Sequence, residues 1–146
     1  MIDGDMTLEQ LKKYCGQTPR PADFEAYWTT AAAETRKFEA PYTLKHRPEF
    51  SSKLMECCDL VFESFDGSSI YAKLLMPVTE VKIPLIFQFH GYPGASRSFL
   101  ELSGFVASNM AGVAMDCRGQ GGKSHDKSPY NGPTVSGHII MGLESD

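Results

Sequence analysis

Several patterns that mark particular classes of protein are missing from this sequence of 146 residues. No apolar run approaches the roughly 20 residues that a membrane-spanning helix needs, so we expect no membrane association. The opening residues, MIDGDM, carry two acidic side chains and no apolar core behind them, so they do not resemble a Sec-type signal peptide. The 14 basic residues are scattered and outnumbered by 18 acidic ones. A nucleic-acid partner is therefore not expected, because phosphate binding needs clustered Lys and Arg.

Cysteine and histidine are few and are not spaced for metal or redox chemistry. The four cysteines include one adjacent pair and no C-x-x-C, which favours reduced thiols in a cytoplasmic protein. None of the four histidines stands in H-x-x-x-H or H-E-x-x-H spacing. We therefore expect a cytoplasmic location, no metal ion and no other cofactor.

The composition itself is that of an ordinary globular protein. Apolar residues make up 42% of the chain, aromatic residues 11% and charged residues 22%. A chain of this length buries about two-thirds of its unfolded surface on folding. Residues 1–146 are accordingly expected to belong to one domain.

The first part of the sequence predicts two helices. A capping box over residues 7–10 is followed by apolar residues at helical spacing until Gly16. From Phe24 to Phe38, aromatic and small residues recur every three or four positions, which predicts a second and longer helix.

From Met55 the apolar period changes to two, which indicates strands. The alternating segments on either side of Asp66-Gly67 predict an antiparallel hairpin with a loop longer than two residues. Residues 83–89 are almost continuously apolar, which is typical of a strand covered on both faces in a parallel sheet. A capping box at Ser98 then opens a helix, and residues 113–116 form a short strand. Strand, helix and strand at this spacing predict a parallel βαβ unit, and hence an α/β fold.

Two glycine-rich loops follow the two parallel strands, at the edge where α/β sheets bind ligands. In the first, HGYPGAS, Gly91 allows the chain to turn sharply after His90. The backbone N–H of Tyr92 can then serve as an oxyanion donor, a contribution of roughly 3 to 4 kcal/mol in acyl transfer. The alternative is that the segment only makes a tight turn between strand and helix. We expect His90 to position this loop rather than to act as a general base.

The second loop contains Arg118-Gly119-Gln120 and is not a phosphate-binding loop. It lacks the first glycine of a Walker motif and opens no apolar helix. We expect Arg118 to pair with a carboxylate and to stabilise the loop. The adjacent Ser124, His125 and Asp126 do not predict a triad, because triads are assembled from distant segments. The nucleophile motif G-x-S-x-G is absent from the 146 residues.

Three segments in order resemble the amino-terminal half of the acetyl xylan esterase and cephalosporin-C deacetylase family. They are PADFEAYW at residues 21–28, HGYPG at residues 90–94 and DCRGQGGKSHD at residues 116–126. The resemblance implies a partial α/β-hydrolase fold in which the carboxyl-terminal half of the sheet is missing. It also implies a Ser-His-Asp triad beyond Asp146 that deacetylates acetylated sugars, xylan and small acetyl esters. The family's first oxyanion donor carries over to Tyr92, which would thus also contact the substrate.

The same resemblance implies that complete members of the family form homo-oligomers. In the strand order of the α/β-hydrolase fold, the strand that bears the nucleophile lies beside the strand at residues 83–89. This chain lacks that neighbour, so the apolar edge of the strand at residues 83–89 would face solvent. We therefore expect the chain alone to be inactive, and to aggregate or to associate with a complementary half. Two alternatives stay open: a non-catalytic, partner-associating module, and another α/β-hydrolase such as a peptidase or a dienelactone-type hydrolase.

Overall fold

The structure, a computed structural model, describes residues 6–127 of the chain. The chain divides into two compact units, Met1–Lys37 and Phe38–Asp146. No helix in the described range combines the length and the apolar character needed to cross a bilayer.

The first unit contains the two predicted helices, α1 (Leu8–Leu11) and α2 (Phe24–Lys37). The capping box of α1 is present as predicted, with Thr7 accepting from the Gln10 N–H. The helix ends at Leu11 rather than near Gly16, because the following residues tighten into turns whose N–H groups bond carbonyls three residues back. In α2 the Trp28 ring contacts two neighbouring rings along the same helix.

The second unit is built on a five-stranded mixed sheet in the order β1-β2-β3-β5-β4. One helix, α3 (Phe99–Ala107), lies between β4 and β5 in the chain. The strands are β1 (Tyr42–His46), β2 (Met55–Glu63), β3 (Ser69–Pro77), β4 (Leu85–Phe89) and β5 (Ala111–Met115). The mixed α/β architecture agrees with the prediction.

The predicted hairpin is the antiparallel pair of β2 and β3. Its loop spans residues 64–68, longer than two residues as expected, and Gly67 adopts a left-handed φ of 76°. Strand β1 was not predicted. All its residues are exposed and it pairs with β2 on one side only, so distant pairing rather than a local apolar pattern makes it a strand.

The predicted βαβ unit is confirmed, since β4 and β5 pair in parallel with Phe89 beside Met115. The capping box of α3 joins Ser98 and Glu101 as predicted. After α3 the chain turns at Asn109, with a φ of 56°, and β5 begins at Ala111. That start lies two residues before the predicted one.

The prediction that the β4 segment is covered on both faces is wrong. Strand β4 stands at the end of the described sheet and pairs only with β5. Its side chains alternate, so Leu85, Phe87 and Phe89 are 47%, 60% and 61% exposed, while Ile86 and Gln88 are partly buried. Strand β4 therefore has one partly covered face, and its other face is apolar and accessible.

The core of the second unit lies between α3 and the middle of the sheet. It is formed by Cys57, Leu75, Phe99, Leu102 and Ala114. A side chain at Gly112 of β5 would come within 2.8 Å of the Phe105 ring, so glycine permits the close packing of helix on strand. This packing holds the α3 end of the loop between β4 and α3, and the pairing of Phe89 with Met115 holds its β4 end.

Candidate functional site at the carboxyl ends of β4 and β5

The two glycine-rich loops meet because they leave neighbouring parallel strands at the same edge of the sheet. We call residues 90–98 the β4–α3 loop and residues 116–127 the β5 loop. Three backbone N–H groups join them: Cys117 donates to His90 Nε2 at 2.9 Å, Gly121 donates to the Pro93 carbonyl at 3.2 Å, and Ser96 donates to Asp116 Oδ1 at 2.6 Å. The loops therefore form one hydrogen-bonded surface.

The His90 imidazole is part of this connection. Its Nε2 accepts from the Cys117 N–H, which leaves Nδ1 to carry the proton and donate to the Gly91 carbonyl at 3.0 Å. Both ring nitrogens are thus engaged. In this arrangement the ring positions the loops and has no nitrogen available to accept a proton from a substrate or nucleophile.

Glycines allow the backbones of the two loops to approach closely. A Cβ at Gly121 would lie 2.9 Å from the Gly94 carbonyl oxygen, and a Cβ at Gly94 would lie 2.7 Å from the Gly91 oxygen. These distances are to backbone atoms, which cannot move aside like a flexible side chain. A larger residue at Gly121 would push the two loops apart, and one at Gly94 would open the turn within the β4–α3 loop.

Asp116 is the centre of the arrangement. It is 1% exposed, and its second oxygen, Oδ2, accepts from the Lys123 N–H at 2.8 Å. Gly122 passes so close, with a φ of 113°, that a Cβ there would be 2.4 Å from the carboxyl carbon. Burial alone raises the pKa of Asp116, but the hydrogen bonds from Ser96 and Lys123 outweigh it and lower that pKa below its ordinary value. The carboxylate is therefore charged and holds both loops.

The hairpin is tied to the same centre through two side chains. Lys73 of β3 donates from Nζ to Ser96 Oγ at 2.7 Å. Ser124 donates to the Asp116 carbonyl at 2.6 Å and accepts from the Tyr71 N–H at 2.9 Å. Both hydroxyl groups thus have fixed roles in joining β3 to the loops.

The Arg118-Gly119-Gln120 segment lies on the hairpin side of the β5 loop. Arg118 donates from Nη1 to Asp66 Oδ2 at 2.5 Å, which links the loop to the turn between β2 and β3. Gly119 takes a left-handed φ of 67°. The side-chain oxygen of Gln120 is buried and finds no donor among the described residues. A buried amide oxygen normally has a donor, so Gln120 is an exception among the buried polar groups of the described residues.

Tyr92 stands at the tip of the β4–α3 loop, with its side chain 39% exposed. The peptide bond to Pro93 is cis. None of the hydrogen bonds within residues 6–127 uses the Tyr92 backbone N–H. This donor remains available in a loop whose neighbouring N–H groups, at Gly94 and Ser96, are bonded.

A cavity of about 190 Å³ lies beside the loop and is lined in part by Gln88, His90, Gly91 and Ser96. The Gln88 side-chain oxygen is buried and also lacks a donor among the described residues. The volume is below the roughly 300 Å³ at which typical ligand pockets begin. The cavity therefore suits a small group better than a whole sugar. Within residues 6–127, no three His, Cys, Asp or Glu side chains converge as metal ligands would.

The sequence reasoning identified the Tyr92 turn and Arg118 but missed four residues of the network: Lys73, Ser96, Asp116 and Ser124. The sequence placed Asp116 at the end of a strand and at the start of the DCRGQGGKSHD segment, and predicted no role for its side chain. The signal that could have identified it is an aspartate after a buried parallel strand, at the start of a glycine-rich loop whose backbone N–H groups need acceptors.

Comparison with known proteins gives a consistent result. The family model for acetyl xylan esterase matches residues 1–146. Acetyl xylan esterase 1 from a Thermoanaerobacterium species is 42% identical with a TM-score of 0.85, over 97% of this chain and 44% of that one. An acetyl xylan esterase from a Paenibacillus species is 28% identical with a TM-score of 0.75, over 86% and 40%. No curated protein matches the chain. The chain thus spans less than half the length of both solved relatives.

Proposed function

The chain belongs to the acetyl xylan esterase family, and we propose that it supplies part of the oxyanion hole of a carboxylic ester hydrolase. The proposed reaction is removal of acetyl groups from acetylated sugars, including xylan, and from small acetyl esters of the cephalosporin C type. Both solved relatives are acetyl xylan esterases, which supports xylan as a substrate.

The observation that carries the proposal is the N–H of Tyr92 after the carboxyl end of β4, which has no acceptor among residues 6–127. An oxyanion hole needs backbone donors that are held in place and not already bonded. The surrounding loop is held by His90, Asp116 and the paired glycines, so a donor at Tyr92 would need little reorganisation during the reaction.

We propose that the nucleophilic serine, its histidine and its aspartate come from polypeptide outside these 146 residues. No G-x-S-x-G occurs in the sequence. Ser96 in the β4–α3 loop is engaged with Lys73, and Ser124 in the β5 loop is engaged with Asp116 and Tyr71. Neither has a histidine partner among the hydrogen bonds of the described residues, so neither has the base that a serine nucleophile requires.

In the proposed mechanism, the serine attacks the acetyl carbonyl and the carbonyl oxygen becomes negatively charged. The Tyr92 N–H donates to that oxygen, together with a second N–H from the segment that carries the serine. The sugar leaves with a proton from the histidine, and water then hydrolyses the acetyl-enzyme through a second oxyanion at the same donors. The 146-residue chain by itself would carry out none of these steps.

The proposal is tested by complementation. The chain is co-expressed with the part of the Thermoanaerobacterium esterase that it does not match, and hydrolysis of p-nitrophenyl acetate and acetylated xylan is measured. We expect the pair to turn over both substrates, with inhibition by a serine-directed phosphonate, and the chain alone to show no inhibitable activity. Phosphonate-sensitive turnover by the chain alone would refute the assignment of the nucleophile.

Substitution of Tyr92 tests the donor itself in the complemented pair. Tyr92→Pro removes the N–H, so kcat should fall about 10²- to 10³-fold, as when other oxyanion donors are removed. Tyr92→Phe keeps the N–H and loses only the hydroxyl, so it should retain most of the activity. If both variants lose the same activity, the backbone N–H is not the donor.

A further inference from the structure

A cavity of about 310 Å³ lies between the β1–β2 connection, β3 and the start of α3, apart from the Tyr92 turn. We propose that it is a binding site for an organic carboxylate with a flat aromatic body. Its walls include three aromatic rings, of Phe50, Tyr71 and Phe99, and its polar groups include three cations, of Arg47, Lys73 and Lys123.

The aromatic walls are held in position. The rings of Phe50 and Phe99 are 5.4 Å apart and tilted by 36°. Phe99 also belongs to the buried core under α3, which anchors this wall. The Tyr71 hydroxyl donates to Asp59 Oδ1 at 2.6 Å, which fixes the third ring. Such rings offer flat apolar surface for an aromatic ligand.

Two ammonium groups lie over the same ring. Lys123 Nζ is 4.6 Å and Lys73 Nζ is 5.4 Å from the centre of the Tyr71 ring. Neither takes part in a salt bridge among residues 6–127, although Lys73 also donates to Ser96 Oγ. Each ammonium group therefore keeps hydrogen-bonding capacity for an anionic group that enters the cavity.

The nearby carboxylates are already satisfied. Asp59 accepts from Arg47 Nη1 at 2.5 Å as well as from Tyr71, and Arg47 also pairs with Glu49. Asp116 accepts from two backbone N–H groups and is fully buried. Arg47 is therefore in direct ion pairs inside the protein, whereas Lys73 and Lys123 interact with the surrounding carboxylates only at longer range and have none in direct contact among residues 6–127.

These features select the chemistry of the ligand. The lysines exclude a metal ion, and the apolar walls disfavour inorganic phosphate, which would lose hydration without replacing it. A volume of about 310 Å³, with mostly apolar walls and a few convergent polar groups, matches the lower end of small-molecule sites. An aromatic carboxylate fills the space with its ring and brings its charge to the ammonium groups. This binding does not depend on ester hydrolysis.

The test uses two probes of the same shape and the full 146-residue chain, kept dilute and checked by light scattering because it is expected to self-associate. Binding of 4-fluorobenzoate and 4-fluorobenzamide is titrated by fluorine NMR. We expect saturable binding of the benzoate at least about tenfold tighter than that of the neutral amide, because its carboxylate makes charge-assisted hydrogen bonds. Acetate, which has the charge without the ring, should not displace it at equal concentration.

Variants then locate the site. Lys123→Met keeps the apolar stem and should weaken benzoate binding about fivefold or more, with no effect on the amide. Lys73→Met should act in the same direction, while Lys82→Met, at an exposed lysine outside the cavity, should change nothing. Circular dichroism checks that each variant is folded.

Equal binding of the two probes would overturn the proposal. That result is also what adsorption to an exposed apolar surface or to an aggregate would produce. Unchanged benzoate binding in a folded Lys123→Met variant would equally place the ligand elsewhere.

Discussion

At the scale of single residues, the buried carboxylate of Asp116 matters more than its sequence context suggests. It is paired with backbone N–H groups from both loops and not with a cationic side chain in direct contact. The interaction therefore fixes the path of the main chain on both sides of the site. His90 acts in the same way through its two ring nitrogens. Such positioning keeps a backbone donor like the Tyr92 N–H in a constant place.

We expect Asp116→Asn to lower the free energy of unfolding by about 1 to 3 kcal/mol. The amide nitrogen of asparagine would face one of the two N–H donors and leave it unsatisfied in a buried position. Urea unfolding of the second unit, followed by circular dichroism in dilute solution, measures the change. Glu80→Gln, which also removes one carboxylate but on the exposed connection before β4, should have little effect.

The effect of Asp116→Asn on the free energy of unfolding should depend on pH. The pKa of Asp116 is lowered in the folded chain, so its stabilisation is present above the unfolded pKa of about 3.9 and is lost as pH falls through the folded pKa. The stability difference between wild type and Asp116→Asn should thus be constant near neutral pH and shrink below about pH 4. A difference that stays constant into strong acid would show that the charge of Asp116 contributes nothing.

At the scale of elements, local signals predicted what local interactions decide. The capping boxes at Thr7 and Ser98 and the Asp-Gly turn are satisfied within a few residues, and they were correctly located. Strand β1 and the exposed face of β4 were not predicted from the sequence, because both depend on which strand lies beside them. A run of apolar residues is compatible both with a strand covered on both faces and with a strand at the edge of the sheet.

The exposed face and edge of β4 should govern solubility. Phe87 is 60% exposed on a strand that pairs on one side only. Phe87→Lys puts a charge on that edge, which opposes pairing with another chain, so it should raise the soluble fraction on expression. Phe65→Lys is the same change at a side chain that is 75% exposed, but in the hairpin turn, and it should raise solubility much less. An equal gain from both variants would mean that overall hydrophobicity, and not the edge of β4, limits solubility.

At the scale of the whole molecule, an edge strand rich in phenylalanine coincides with a chain that spans 44% of a solved relative. We expect the isolated 146-residue chain to self-associate, because unpaired strand N–H and C=O groups beside apolar side chains favour pairing with other chains. Co-expression with the unmatched part of that relative should convert it into a discrete species. Size-exclusion chromatography with light scattering distinguishes the two states. A monodisperse monomer with a sharp, cooperative thermal transition would contradict this expectation.

The sequence alone determined the helices, the hairpin, the parallel βαβ unit and the family, since short-range patterns and three motifs in order carry that information. It also drew attention to Tyr92 and Arg118 through the glycines around them. Only the tertiary structure brought Lys73, Ser96 and Asp116 together and set two lysines over the Tyr71 ring. Those residues come from β3, from the β4–α3 loop and from the end and loop of β5, so no local pattern relates them. Their contacts are created by the order of strands in the sheet, which is decided by long-range pairing and by the burial of the core beneath α3.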